Sequence, residues 1–176
     1  MRHPWVARTV PVLTLLLAAA GCGGARDPGY PSAREGRLVV TWRGGAPIID
    51  APARATFCGG DSLLVLVGLD DEWGAAVVLH GGFPVDSVRT FAVRPWLGEE
   101  GTAAAAFRSV QDSVHRAVMA LRGSVRLEPG RRATGRFEMG AAPLPGRSEP
   151  VHLVGAFRAL PTTDTSGGCS AWARRP

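Results

Sequence analysis

The chain contains no lysine and no asparagine, and all twenty of its basic residues are therefore arginine. Lysine and asparagine codons are rich in A and T, so a high-GC genome is the simplest explanation. The absence of lysine excludes Schiff-base chemistry and a phosphate-binding P-loop, because both need a lysine amino group. The net charge of +5 is too mild to indicate a nucleic-acid partner.

Sequence motifs of common enzyme classes are missing as well. There is no HExxH zinc motif, no GxSxG nucleophile elbow and no GxGxxG dinucleotide-binding loop. No two of the histidines after the amino-terminal region lie within one helical turn of each other. We therefore expect no catalytic residue, no cofactor and no bound metal that the sequence alone would reveal.

The amino terminus has the pattern of a secretory signal peptide. Arg2 and Arg8 precede a mainly apolar run from Val10 to Ala20, and small residues continue up to Cys22. This run is shorter than the roughly 20 apolar residues that a helix needs to cross a bilayer. The pattern predicts that residues 1–21 are a signal peptide, and its removal lowers the net charge from +5 to +3.

The segment Ala19-Ala20-Gly21-Cys22 resembles the lipobox of bacterial lipoproteins, with Ala19 standing where leucine is usual. The resemblance implies that the Cys22 thiol carries a diacylglycerol and that its amino group is acylated, as by palmitate. Several fatty chains anchor a protein durably to a membrane. Gly23 follows where aspartate would mark inner-membrane retention, which implies the outer membrane in a Gram-negative host. We therefore expect a protein of the cell envelope that is held by its lipid anchor.

The rest of the chain divides into a connecting segment and one domain. Residues 22–36 hold the lipidated cysteine and a polar, turn-rich stretch without hydrophobic periodicity, which predicts a flexible tether. Residues 37–176 are enough for a single hydrophobic core. Cys58 and Cys169 are the two remaining cysteines, and in an exported domain such a pair is expected to form a disulfide.

Short apolar or alternating runs, separated by glycine, proline and aspartate every 8 to 14 residues or so, predict an all-β domain. We expect a single antiparallel β-sandwich or barrel-like domain, and the chain is loosely similar to β-rich lipoproteins of unknown function from high-GC bacteria. Ser62 to Gly68 is apolar on both faces and predicts a central strand, whereas Trp42 belongs to an alternating face and is expected in the core.

A hairpin between Ser124 and Gly140 is the clearest local prediction. One register pairs opposite charges on one face and apolar residues on the other, and each such pair stabilises neighbouring antiparallel strands. The predicted pairs are Arg126 with Glu138, Glu128 with Arg136, Val125 with Met139 and Leu127 with Phe137.

The segment 102–122 is ambiguous. Its apolar residues fall on one helical face, with Thr102 and Gly123 as caps, which favours an amphipathic helix. The break at Gln111-Asp112-Ser113 and the surrounding β pattern favour two strands instead. We expect two strands and keep the helix as the alternative.

Two groups of residues are candidates for binding. Trp73 and Trp96 lie in predicted turns and are candidate ligand contacts, although both tryptophans would equally well cover the ends of the domain. Asp70, Asp71 and Glu72 form a dense carboxylate group and a candidate cation site, although they lack the spacing of a calcium loop and suit a solvated turn.

These observations predict a membrane-anchored envelope protein that acts as a binding or structural module. Its expected partners are the membrane, through the anchor, and an envelope protein or a glycan, with no nucleic acid. The alternative is a carboxylate-dependent hydrolase that uses residues among Asp61, Asp70, Asp71, Glu72 and Asp86. Convergent carboxylates in a cleft would favour the enzyme.

Overall fold

The computed structural model describes residues 29–42, 45, 47–111, 114–144, 150–166 and 169. These residues form ten strands and a single turn of 3-10 helix at Gly59–Asp61. The strands are β1 (Arg37–Trp42), β2 (Pro47–Cys58), β3 (Leu63–Leu69), β4 (Trp73–His80), β5 (Arg89–Val93), β6 (Thr102–Gln111), β7 (Val114–Leu127), β8 (Ala133–Leu144), β9 (Val151–Leu160) and β10 (Thr162–Thr165).

Nine of these strands close into a β-barrel, which confirms the expected all-β, barrel-like fold. The order is β1-β9-β8-β7-β5-β6-β4-β3-β2, and β1 also pairs with β2 to complete the ring. Strand β5 fits between β6 and β7 at one end, while those two strands pair directly at the other. Neighbouring strands are antiparallel except for β5 beside β6 and the short β10 beside β2, which are parallel.

The strands define two ends of the barrel. At the disulfide end, β2 finishes at Cys58, β4 finishes at His80, and β3 begins at Leu63. At the opposite end, β1 finishes at Trp42 and β3 turns into β4. Alternate side chains of every strand point inward and fill the interior. Phe91, Phe137, Phe157, Leu38, Ile49, Leu64, Leu66, Leu79, Leu127, Met139 and Leu153 are all almost completely buried there.

Trp42 does not lie in this core, contrary to the sequence-based expectation. It is the last residue of β1, and 39% of its surface is exposed. The alternation placed it on the inward-facing side of β1, as expected, but the barrel ends at this position and leaves the indole ring at the rim.

The structure resolves the ambiguity at residues 102–122 in favour of strands. Strand β6 ends at Gln111 and β7 begins at Val114, and the two pair along Ala106 to Gln111. A helix would have buried only one face, whereas β4 and β7 both need hydrogen-bonding neighbours on this side of the barrel. The expected helix alternative is therefore not formed.

The predicted β7–β8 hairpin is present, but its register differs from the expected one by two residues. Arg126 lies opposite Arg136, and Leu127 lies opposite Gly135. A shift of two leaves every side chain on its expected face. The expected cross-strand charge pairs are not formed. Arg126 Nε instead contacts Oε1 of Glu128, the residue that follows β7, at 3.2 Å.

Reciprocal packing of phenylalanine on glycine fixes the register of β8 against its other neighbour, β9. Phe137 lies opposite Gly155, and Gly135 lies opposite Phe157. A Cβ atom at Gly155 would lie 2.1 Å from Phe137 Cζ, and one at Gly135 would lie 2.7 Å from Phe157 Cζ. Each ring therefore occupies space that only glycine leaves free. Towards β7, a Cβ atom at Gly135 would lie 2.2 Å from the carbonyl oxygen of Arg126, so the observed β7–β8 register also requires glycine at this position.

The disulfide holds part of the carboxyl-terminal segment against the outside of the barrel. Cys58 and Cys169 are joined as predicted, with their Cα atoms 5.7 Å apart. An outer cluster of Cys58, Leu63, Val65 and Val78 is buried there, with Leu97 and Cys169 packed against it. Strand β3 is thus buried on both faces, as expected, because its inner face lines the core and its outer face is covered near the disulfide.

Part of the expected tether also lies against the barrel. The Tyr30 hydroxyl donates to Glu138 Oε2 at 3.2 Å, and the Arg136 guanidinium sits 4.7 Å from the centre of the Tyr30 ring. Ala33 is buried, and the Gly36 amide donates to the carbonyl of Arg158 at 2.8 Å. The stretch from Tyr30 to Gly36 therefore packs on the outer surface formed by β8 and β9. The preceding residues 22–28 lie outside the described part of the chain.

Candidate functional site

The outward face of β3 and β4 is apolar except for His80 at the end of β4, but only half of it is covered. Near the disulfide end, the outer cluster lies beneath Leu97 and Cys169. Towards the opposite end the same face continues through Val67, Leu69 and Ala76, and Leu69 is 47% exposed. An outward strand face in contact with water normally carries polar side chains. This uncovered half is therefore the most unusual surface of the barrel.

Two rows of paired residues build a groove at this position. The first row runs across β2, β3, β4 and β6 through Arg54, Val67, Ala76 and Ala106. The second row runs across β3, β4, β6 and β7 through Leu69, Gly74, Arg108 and Ala117. Gly74, Ala76 and Ala106 have little or no side chain, so the surface of the sheet is depressed at these positions. The longer side chains of the groove project around the depression.

The groove, which we call the alanine groove, has a volume of about 490 Å³. A shallower depression of about 350 Å³ adjoins it and shares Arg54, Val67 and Leu69 with it. Small-molecule sites in proteins usually measure about 300 to 1,000 Å³. Both depressions are open to solvent and lie outside the barrel, whose interior is filled by the core side chains.

Arg54 and Arg108 are the two charged residues that line the alanine groove, and both are exposed. Neither arginine forms an ion pair within the described part of the chain. A Cβ atom at Gly74 would lie 3.1 Å from Arg108 Nε and 2.9 Å from Leu69 Cδ2. The absence of a side chain at Gly74 therefore lets Arg108 and Leu69 lean towards each other across β4. The groove combines an apolar floor with two positive charges that have no ion-pair partner among the described residues.

The two candidate tryptophans lie at opposite ends of β4 and do not form one site. Trp73 begins β4, is partly buried and packs against the core. Trp96 lies in the connection between β5 and β6 at the disulfide end, with 58% of its surface exposed. The eight residues of β4 span about 23 Å. Neither tryptophan lines the alanine groove.

The acidic trio forms the turn between β3 and β4. Asp70 Oδ1 accepts hydrogen bonds from the backbone amides of Glu72 at 3.0 Å and Trp73 at 2.6 Å. This carboxylate therefore holds the turn in shape. Within the residues that the structure describes, no three His, Cys, Asp or Glu side chains are grouped so that they could hold a metal ion. Cation binding by the trio stays a prediction.

The carboxylates considered for hydrolysis are divided between the two ends of the barrel. Asp61 precedes β3 and Asp86 follows β4, which places both at the disulfide end. Asp70, Asp71 and Glu72 follow β3 at the opposite end. General acid and base groups must approach one substrate together. The fold does not bring these two sets into one cleft.

The histidines make ordinary surface contacts. His80 Nδ1 lies 2.7 Å from the carbonyl oxygen of Gly98. His152 Nε2 lies 3.0 Å from Glu138 Oε1. Glu138 also accepts from Tyr30, so this cluster connects the amino-terminal segment with β8 and β9.

Cys22 and the lipobox lie outside the described residues, and the anchor therefore stays a prediction. In the described part of the chain, no helix is both long and apolar enough to cross a bilayer.

The sequence did not lead us to predict the alanine groove, although two segments contain a signal for it. In Gly74 to Leu79 and in Ala103 to Phe107, residues on both alternating positions are small or apolar. Such two-sided strands predict cover on both faces. Where the fold leaves one of these faces exposed to solvent, the same pattern indicates a binding surface. The strand order is needed to identify which face is exposed.

Comparison with known proteins finds no matching family model, no matching curated protein and no matching solved structure.

Proposed function

We propose that this protein is a lipid-anchored binding module of the cell envelope, and that the alanine groove binds a small amphiphilic molecule. The observation that carries the proposal is the uncovered apolar half of the outer face of β3 and β4. Contiguous apolar surface on a folded protein usually marks an interaction site. The filled interior supports an external site, because a ligand could enter the barrel only by displacing core side chains.

The lipobox supports the location. Acylation of Cys22 would hold the barrel close to a membrane through a short connection, since the described structure begins at Gly29. Amphiphilic molecules are concentrated at such a surface. A barrel anchored at this surface could bind an amphiphilic molecule in its solvent-exposed apolar groove.

A neutral fluorescent probe tests the proposed function. N-phenyl-1-naphthylamine should bind saturably to the chain expressed from Gly23 onward, which keeps every described strand and lacks the leader and anchor. Ala106→Glu places a bulky, charged side chain on the groove floor and should weaken binding at least tenfold. The side chain occupies part of the floor, and its carboxylate, even when paired with Arg108, must lose water when the probe binds, which costs more than about 1.4 kcal/mol.

The matched control is Thr90→Glu. Thr90 is an exposed, outward-facing residue of β5 that does not line the groove, so the same charge there should leave the affinity unchanged. If the parent protein shows no saturable binding, or if Ala106→Glu binds as tightly as Thr90→Glu, the groove is not the binding site.

A further inference from the structure

We infer that the alanine groove selects an anionic amphiphile with a single alkyl chain, such as a fatty acid or an alkyl phosphate. This inference rests on the proposed function and adds the chemical class of its ligand. In the expected complex the acidic head group lies near Arg54 and Arg108, and the alkyl chain lies on the alanine floor.

The charges at the groove favour an acidic head group. Arg37, Arg89, Arg126 and Arg132 each pair with a carboxylate elsewhere on the barrel. Arg54 and Arg108 form no such pair among the described residues. Several other described arginines also lack an ion pair, but they do not line the alanine groove. The Asp70 to Glu72 turn follows Leu69 of the groove, and its Asp70 is hydrogen-bonded to its own backbone. The carboxylate or phosphate group of a ligand would give both guanidinium groups an ion-pair partner.

The positions of the two arginines suit one small head group better than a broad acidic surface. Arg54 on β2 and Arg108 on β6 are separated by β3 and β4, which corresponds to about 14 Å between their strands. Arg108 leans over Gly74 towards β4 and thereby shortens the gap between the guanidinium groups. Arg54 lies opposite Val67, and Arg108 approaches Leu69 across Gly74.

The floor suits an alkyl chain rather than a bulky ring system. From Val67 it continues through Ala76 and Ala106 towards Ala117, all with small outward side chains. A flexible chain can follow such a shallow strip and exclude water along one side. One-sided contact recovers about half of the transfer free energy of each methylene, which corresponds to about a twofold gain in affinity per CH₂.

Displacement of the bound naphthylamine probe tests the inference. Octanoate, decanoate and dodecanoate should displace the probe with affinities that rise about twofold per methylene. Decanoate should bind about tenfold more tightly than decanol, because each exposed arginine contributes a factor of about two to five to binding of an anion. All ligands are used below the concentrations at which they form micelles.

Substitution of the arginines separates the head group from the chain. In the double variant Arg54→Gln, Arg108→Gln, decanoate and decanol should bind equally well, while the dependence on chain length remains. Arg126→Gln removes a charge outside the groove and should keep the full preference for decanoate. If the parent protein binds the probe but not decanoate in preference to decanol, the anionic ligand is wrong and the proposed groove stands. If the probe itself does not bind, the proposed function fails.

Sedimentation with phosphatidylglycerol vesicles distinguishes a single amphiphile from a membrane surface. Vesicle binding that is unchanged by the double variant supports the inference. Loss of vesicle binding in the double variant, together with unchanged displacement by decanoate, would show that the arginines face a bilayer, and would overturn it.

Discussion

Replacement of Gly155 by alanine should destabilise the barrel strongly, although it adds a single methyl group. The new Cβ atom would lie 2.1 Å from Phe137 Cζ and 2.6 Å from each Cε atom. Favourable carbon contacts lie at about 3.5 to 4.0 Å, so three ring atoms would be far inside contact distance. Phe137 is 1% exposed, and its ring centre lies 6.1 Å from that of Phe107. The ring therefore has little room to move away.

Overpacking of a core typically costs about 1 to 3 kcal/mol, and this site belongs at the upper end because both partners are fixed within strands. We expect Gly155→Ala to lower the free energy of unfolding by about 3 kcal/mol and the Tm by about 6 to 12 °C. Urea denaturation followed by circular dichroism measures the first quantity. Gly82→Ala is the control, because a Cβ atom at Gly82 meets nothing within 4 Å.

A rescue experiment identifies the clash as the cause. Phe137→Leu removes the ring atoms nearest to residue 155 and should itself cost about 1 to 1.5 kcal/mol. Combined with Gly155→Ala, it should cost at least about 1 kcal/mol less than the sum of the two single changes. Equal stability of Gly155→Ala and Gly82→Ala, or additive effects in the double variant, would refute the packing argument.

Two further predictions concern the disulfide and the anchor. Cys58→Ser with Cys169→Ser should lower the free energy of unfolding by about 4 to 5 kcal/mol, because the bond closes a loop of 111 residues. Equilibrium unfolding of the oxidised parent and the double variant measures this difference, and free-thiol labelling of both cysteines in the denatured, unreduced parent would contradict the bond. Cys22→Ser should abolish incorporation of labelled palmitate and leave an unacylated precursor that keeps residues 1–21. Labelling that persists in this variant would rule out Cys22 as the lipidated residue.

The class of fold could be predicted because local alternation is strong in this chain. Strand β3 is apolar on both faces, and this feature correctly indicated a strand inside the sheet that is buried on both faces over its first half. The β7–β8 hairpin was also evident from alternation, but its register was not. Gly135 must leave room for the carbonyl oxygen of Arg126 on β7 as well as for the Phe157 ring of β9, and alternation of polar and apolar residues indicates neither close approach.

The candidate site was harder to predict because it is a property of strand order. Ala76, Ala106 and Ala117 are unremarkable in sequence and come from three separate strands. They form a floor only because β4, β6 and β7 are neighbours in the barrel. The tryptophans and carboxylates attracted attention for their chemistry, yet the fold distributes them over both ends. Chemical type alone therefore pointed away from the surface that is open.

The position of β1 between β2 and β9 has a consequence for how the protein matures. The pairing of β1 with β9 completes the ring and brings Arg37 opposite Arg158. The backbone groups on that edge of β1 therefore have no partner until nearly the whole chain has been synthesised. Contacts of such long sequence separation slow folding, and β-rich domains of this kind typically need milliseconds to seconds. During that interval β1 presents an open strand edge that can pair with other chains. A chain of this design benefits from a holding chaperone until β9 is available, and a truncation before β9 should aggregate rather than fold into a smaller barrel.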